Sequence, residues 1–399
     1  MIKKLIFKKQ SLYFLLVSVF LLITLNPYYV WGFFKEAYIA VLLVLLSLSV
    51  FFKSVFSVKK ALLSVPVFFL VFAYFMLNEA SFSGSFAFAL GVVFIFSIDN
   101  KYLLSVFSGF KIIYSIVLLP GLVLWVLHYF IGNDFLYLGQ IADEINPNQL
   151  KGEAGQGYAL YPFTVVLDYM LNLPVYRFMG PFDEPGRVGT VSAIILAVNN
   201  FKFKSKSDYV VLLSGLASFS LAFYMLLFIY LAVVSSLSYK YFLTVFCFIL
   251  FVLVAANFNE TVSRYTVDRI SISDGKLSGD NRSNTNLDNY YSAWLNGSTT
   301  QLLSGIPEYI SDGSSSWKEV AVKTGLIGFS ILLAVLLFGF FSVGVGGYNY
   351  ILLAAFLLVF LASFYQRPEI LNPLVMLLFL LGLIKSKRLL ENRFLQEIK

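Results

Sequence analysis

The chain has 399 residues, 59% of them hydrophobic and only 13% charged, with a mean hydropathy of +0.81. Soluble domains carry about 25% charged residues, so the composition excludes a soluble enzyme and predicts an integral membrane protein. The formal net charge is +7, and the single cysteine, Cys247, excludes a disulfide framework and a cysteine metal centre.

The amino terminus, MIKKLIFKKQ followed by apolar residues, imitates a secretory signal, but no small-x-small cleavage site precedes NPYYVWGFFKE. It reads as an uncleaved first span. A bilayer crossing needs roughly 20 apolar residues, and stretches near that length have cores at 11–31, 37–53, 61–78, 84–98, 108–131, 188–201, 208–220, 221–238, 241–257, 320–343, 349–365 and 371–385. The pair within 208–238 is read as a tight hairpin turning near SGLASFS. The expected fold is an all-α polytopic membrane protein, a single integral domain over 1–399. It has about 12 transmembrane helices by this length criterion, cytoplasmic N and C termini, and two long periplasmic loops at 132–187 and 258–319.

This orientation gathers Lys53, Lys59, Lys60, Lys101, Lys111, Lys202, Lys204, Lys206, Lys240 and both basic termini on the inner side, as lysine and arginine do in short cytoplasmic loops. The positive charge is therefore topogenic, and nucleic acid is not expected as a partner. Topology does not explain why the arginines divide the other way. Most lie outside, and five fall in the two long loops: Arg177, Arg187, Arg264, Arg269 and Arg282. A guanidinium is a planar fork of donors suited to bidentate phosphate binding, whereas an ammonium is a point charge. The cluster suits a diphosphate ligand.

The first long loop contains YPFTVVLDYML, an apolar stretch expected to lie flat at the interface as a short amphipathic helix. It ends in GPFDEPGRVGT, residues 180–190. Pro185 after two acids matches an ordinary helix start, in which proline needs no amide donor and carboxylates favour the positive end of the dipole. Capping accounts for Asp183 and Pro185 and serves as one reading of Glu184. It does not require Arg177 and Arg187, and a helix amino terminus is also an anion site. The second loop, rich in Asn, Ser, Asp and Gly, offers Asp268, Asp280 and Glu319 as further acids and Tyr290 and Tyr291 as aromatic surfaces for sugars.

RFMGPFDEPGRVGT resembles the R-F-x-G-x-F-x-E-P-G-x-x-G-T segment of bacterial O-antigen and capsular polysaccharide polymerases of the Wzy type, through Arg177, Phe178, Gly180, Phe182, Glu184, Pro185, Gly186, Gly189 and Thr190. Around it the layout is similar too: a second long loop follows, then WKEVAVKTGLIGFSILL with its Gly325–Gly328 segment. Some members carry an arginine, ten residues and a glycine in each long loop. Arg264 and Gly275 keep that spacing, while Arg177 and Gly189 miss it by one residue.

The resemblance implies glycosyl transfer on the outer face of the bacterial inner membrane: a glycan moves from undecaprenyl diphosphate to the non-reducing end of a lipid-linked repeat unit. Partners implied are undecaprenyl-diphosphate-linked glycans, the bilayer and a chain-length regulator protein. Arginines then meet the charge that develops on the departing diphosphate. An acceptor hydroxyl needs a base within hydrogen-bond reach, and Glu184 is the catalytic candidate, although nearby arginines favour its ionised form and weaken it as a base. His128, the sole histidine, lies inside an apolar span and reads as a satisfied core group. Asp183 and Glu184 together are thin support for a divalent cation, and no metal or cofactor is expected.

Two other functions compete. An O-antigen ligase has a related layout but typically a histidine before the span at 320–343, where this chain reads SDGSSSWKEV. A polysaccharide flippase or ion-coupled transporter would place ionisable residues inside its spans, whereas here the charge lies mainly in loops. Ser214, Ser218 and Ser220 are read as helix-packing residues rather than a transport path.

Overall fold

The computed structural model describes residues 2–52, 55–78, 80–146, 157–173, 176–237, 284–309 and 316–387, with isolated positions between 243 and 277. The protein is mostly helical. The first six helices are α1 (Ile2–Ile23), α2 (Phe34–Ser49), α3 (Val58–Leu63), α4 (Val65–Leu77), α5 (Phe82–Ser97) and α6 (Asn100–Ile131). After the first long loop come α7 (Pro185–Val198), α8 (Lys206–Ala217) and α9 (Leu221–Val234). The second long loop holds α10 (Thr285–Leu295) and α11 (Thr299–Ser304), and α12 (Trp317–Val343), α13 (Tyr350–Gln366) and α14 (Pro373–Lys385) close the chain. Among the described residues three segments are long and apolar enough to cross a membrane, Tyr28–Ser49, Asn100–Ile131 and Trp317–Val343, and shorter apolar helices accompany them. The expected core at 241–257 lies largely outside the described residues.

Helix ends follow the local chemistry. Asp99 accepts from the Lys101 amide to start α6, Ser316 caps α12, Asn349 caps α13, and Asn372 with Pro373 starts α14. The first expected span is shortened from residue 31 to Ile23, because Asn26 takes a positive φ of 50° just before Pro27. The stretch 61–78 divides at Ser64. The stretch 208–238 divides into α8 and α9 at a turn over Ser218–Ser220, with Phe219 at a φ of 42°, and both helices pack on α7.

One apolar core joins most of the bundle, with Phe20, Phe94, Phe107, Phe110, Tyr114 and Phe182 fully buried. Helix α6 packs on α1 and α8, α7 packs on α8 and α9, and α9 packs on α13. Gly189 permits the approach of α7 to the α8–α9 turn, since a β-carbon there would lie 2.5 Å from that of Ser220. Inside α12, Gly325 leaves helical geometry at φ 57°, ψ −157° and rests against the Leu303–Gly305 backbone at the end of α11. That contact wedges the second long loop into the bundle.

YPFTVVLDYML does not form a flat helix. Its first residue closes β2 (Tyr158–Tyr161) and its Thr164–Leu167 form β3, antiparallel with Tyr161 opposite Thr164, and β2 also pairs with β1 (Gly139–Gln140). A 3₁₀ turn at Asp168–Asn172 follows. β-branched residues in TVV favour a pleated surface, and Pro162 followed by Phe163 at a φ of 64° supplies a two-residue reversal. The sheet has a core of its own, including Trp31, Ile141, Tyr158, Val165, Val166, Met170, Tyr176 and Met179. The described residues of the first long loop thus include a small β-structured cap.

Candidate active site

The segment 176–187 is pinned from several sides before it becomes helix. Arg177 Nε donates to the Ser218 carbonyl at 3.1 Å and the Phe178 amide to the Ala217 carbonyl at 2.9 Å, satisfying carbonyls orphaned at the end of α8. Gly180, at a φ of 57°, turns its carbonyl to the Val165 amide at 2.9 Å and the Thr164 hydroxyl at 3.0 Å, tying the segment to β3. The Tyr28 amide donates to the Pro181 carbonyl and the Tyr158 hydroxyl to the Asp183 carbonyl. Phe182 is fully buried and stacks on Tyr114 of α6. The backbone around Asp183 and Glu184 is therefore held by α6, the β-cap and the α8–α9 turn together.

Glu184 is the residue before α7, extended at φ −151°, ψ 148°, and its side chain makes no capping bond. The capping reading of Glu184 is overturned. Its carboxylate pairs instead with Arg367, at the end of α13. Arg187, one turn into α7, donates from Nε to Asp183 Oδ1 at 3.0 Å and from Nη2 to Oδ2 at 3.5 Å. Its outer nitrogens reach Glu369, with Nη1 to Oε2 at 3.5 Å and Nη2 to Oε1 at 3.4 Å. Glu369 Oε1 also lies 3.8 Å from Arg367 Nη1. Two guanidiniums and three carboxylates thus form one continuous chain, in the order Asp183, Arg187, Glu369, Arg367, Glu184.

The chain is graded in exposure. Asp183 and the Arg367 side chain are buried, Arg187 is nearly so, Glu184 is partly open, and Glu369 is the most open at 43%. Pro368 keeps Arg367 and Glu369 on one short connection between α13 and α14, which the Thr24 hydroxyl helps hold by bonding Asn372 Oδ1 at 3.0 Å. Chemically, two guanidinium forks stand close to a helix amino terminus, paired with carboxylates of which Glu369 is the outermost.

Of the residues expected from sequence, Arg187 and Glu184 meet in this network. Arg177 is buried at the turn between α8 and α9, where its bond to Ser218 secures the loop. Arg264, Arg269 and Arg282, with Asp268 and Asp280, lie outside the described residues. Asp183 is not a solvated loop acid but the innermost member of the network. Glu319 pairs with Lys323 at 2.9 Å. Tyr290 packs edge-on against Tyr309, and Tyr291 contacts Trp294 and Trp317, so both belong to the packing of the second loop. His128 is buried and uses both ring nitrogens, Nδ1 accepting from the Tyr176 hydroxyl at 2.5 Å and Nε2 donating to the Phe135 carbonyl at 3.1 Å.

Sequence reasoning did not nominate Arg367 or Glu369. A signal was present: QRPE places an arginine in a short connection that the orientation puts outside, against the inward bias of basic residues. No match was found among protein-family models, curated proteins or solved structures.

Proposed function

We propose that this protein is a polysaccharide polymerase, a glycosyltransferase of the Wzy type in the bacterial inner membrane. It transfers a growing glycan from undecaprenyl diphosphate to the non-reducing end of a lipid-linked repeat unit. The observation that carries this reading is the pairing of Arg187 and Arg367 across Glu369 at the amino terminus of α7, beside Glu184. Supporting it are the motif that supplies Arg187 and Glu184 and the apolar helices around it.

In the proposed reaction, the acceptor hydroxyl oxygen attacks the anomeric carbon of the donor glycan. The bond from that carbon to the diphosphate oxygen breaks, and its electron pair leaves on the diphosphate. Arg187 and Arg367 meet the charge that gathers there, and cations fixed before the reaction need no reorganisation as it proceeds. Arg264, Arg269 and Arg282 of the second loop complete the cation set. Glu184 takes the hydroxyl proton once it turns from Arg367, and Arg177 keeps the loop carrying these groups on the end of α8. The twelve-span topology, with both termini cytoplasmic, puts this site on the periplasmic side, where a chain-length regulator would also act.

Deletion of the gene in its host tests the reading. Surface lipopolysaccharide is expected to keep a core with at most one repeat unit. Loss of every repeat, the first included, would instead assign a ligase or an earlier step.

A further inference from the structure

Among the described residues, the ion pairs of the network join the guanidiniums of Arg187 and Arg367 to Asp183, Glu184 and Glu369. A diphosphate that bridges Arg187 and Arg367 needs guanidinium nitrogens that a carboxylate now faces, so it binds there only if one carboxylate withdraws. The three acids are not equivalent. Asp183 is buried and bound through Nε at 3.0 Å, and Glu184 pairs closely with the buried Arg367. Glu369 is the outermost, and all its contacts are long, 3.4–3.8 Å, with no short bond like the 3.0 Å one that holds Asp183. A long contact whose carboxylate is open to solvent is screened and weaker than a short buried one. Glu369 is also the only one of the three that touches both guanidiniums: its Oε1 sits between Arg187 Nη2 and Arg367 Nη1.

We infer that Glu369 occupies the position of a phosphate oxygen between Arg187 and Arg367, and acts as a self-supplied competing anion that the carrier's diphosphate displaces. The inference rests on the proposed reading of those arginines as the diphosphate cations. It assigns to Glu369 an affinity-setting role. The carboxylate keeps the guanidiniums oriented and neutralised while no carrier is bound, and it admits only a ligand with enough charge and reach to replace it at both. Once the diphosphate lies on Arg367, the Glu184 pairing is weakened and that carboxylate turns toward the acceptor. Binding of the leaving group thereby readies the base.

The test is titration of the full-length protein in lipid nanodiscs with farnesyl diphosphate, a short carrier analogue, followed by calorimetry. Wild type is expected to bind, Arg187→Ala to lose binding, and Glu369→Gln to bind about three- to tenfold more tightly, the scale of an exposed ion pair removed from competition. Unchanged or weaker binding by a folded Glu369→Gln would overturn the inference while leaving the arginine assignment standing, because wild-type binding and its loss in Arg187→Ala would still be seen. Absence of binding by wild type would overturn both. Should Glu369→Gln not fold, Glu369→Asp, which retracts the carboxylate by one methylene, is expected to tighten binding by a smaller factor; equal or weaker binding by that variant would refute the role.

Discussion

Substitution of Asp208 offers a quantitative test of the packing opposite the candidate site. Asp208 lies in the first turn of α8 with its carboxylate almost fully buried. Its Oδ1 accepts from Lys111 Nζ of α6 at 2.5 Å and Asn199 Nδ2 at 3.0 Å. Its Oδ2 accepts from the Lys204 amide, the Ser205 amide and the Ser205 hydroxyl, at 2.8–3.0 Å. The carboxylate thus ends α7, starts α8 and fastens both to α6, with Lys385 of α14 joined through Asn199 at 2.9 Å. Asp208→Asn keeps the shape but turns an amide donor toward donors and strands a Lys111 side chain that is only 10% exposed. Removing one partner of a buried pair costs about 3–5 kcal/mol. Equilibrium unfolding in micelles is therefore expected to show a loss of that size for Asp208→Asn. The double variant Lys111→Met/Asp208→Asn is expected to lose at least about 1 kcal/mol less than the sum of the singles, since the Lys111 charge is then not left stranded. A loss under about 1 kcal/mol, or strict additivity in the cycle, would refute the reasoning.

Two further outcomes are expected. His128→Ala, which strands the Tyr176 hydroxyl and the Phe135 carbonyl, is expected to cost about 1–3 kcal/mol of stability and leave polymerisation per folded molecule unchanged; lost turnover at normal stability would contradict its reading as a core group. Gly325→Ala places a β-carbon 2.4 Å from the Leu303 carbonyl oxygen in a backbone with φ 57°, and thermal unfolding is expected to fall by more than that of Ala321→Gly, a substitution inside a regular turn of α12 that costs about 1 kcal/mol by propensity.

Where apolar runs meet clear stop signals, the helices were legible from the residues. The run 371–385 matches α14, and the SGLASFS turn appears where the serines interrupt the apolar pattern, whereas α6 begins at Asn100, ahead of the expected 108, because Asp99 caps it before the apolar run starts. The β-cap was missed because TVVLDYML was weighed by its overall apolarity, while its β-branched run and the Pro162–Phe163 reversal carried the information. The Arg187 and Glu184 pair stood out because both lie within four residues of Pro185. Their partners could not be found in this way: Arg367 and Glu369 are distant in the chain, and only the packing of α9 on both α7 and α13 and the contact of α7 with α13 bring them together. The capping reading of Glu184 failed for the same reason, since a guanidinium supplied by another helix outcompeted the local amides for its carboxylate.

The most direct measurement is incubation of the purified protein with a synthetic undecaprenyl-diphosphate-linked repeat unit, with a chelator present, following glycan length and released undecaprenyl diphosphate together. Wild type is expected to yield a ladder with one carrier released per linkage formed, Arg187→Ala and Arg367→Ala none, and Glu184→Gln a severe loss. Absence of a ladder from folded wild type, or full-length ladders from both arginine variants, would contradict the account.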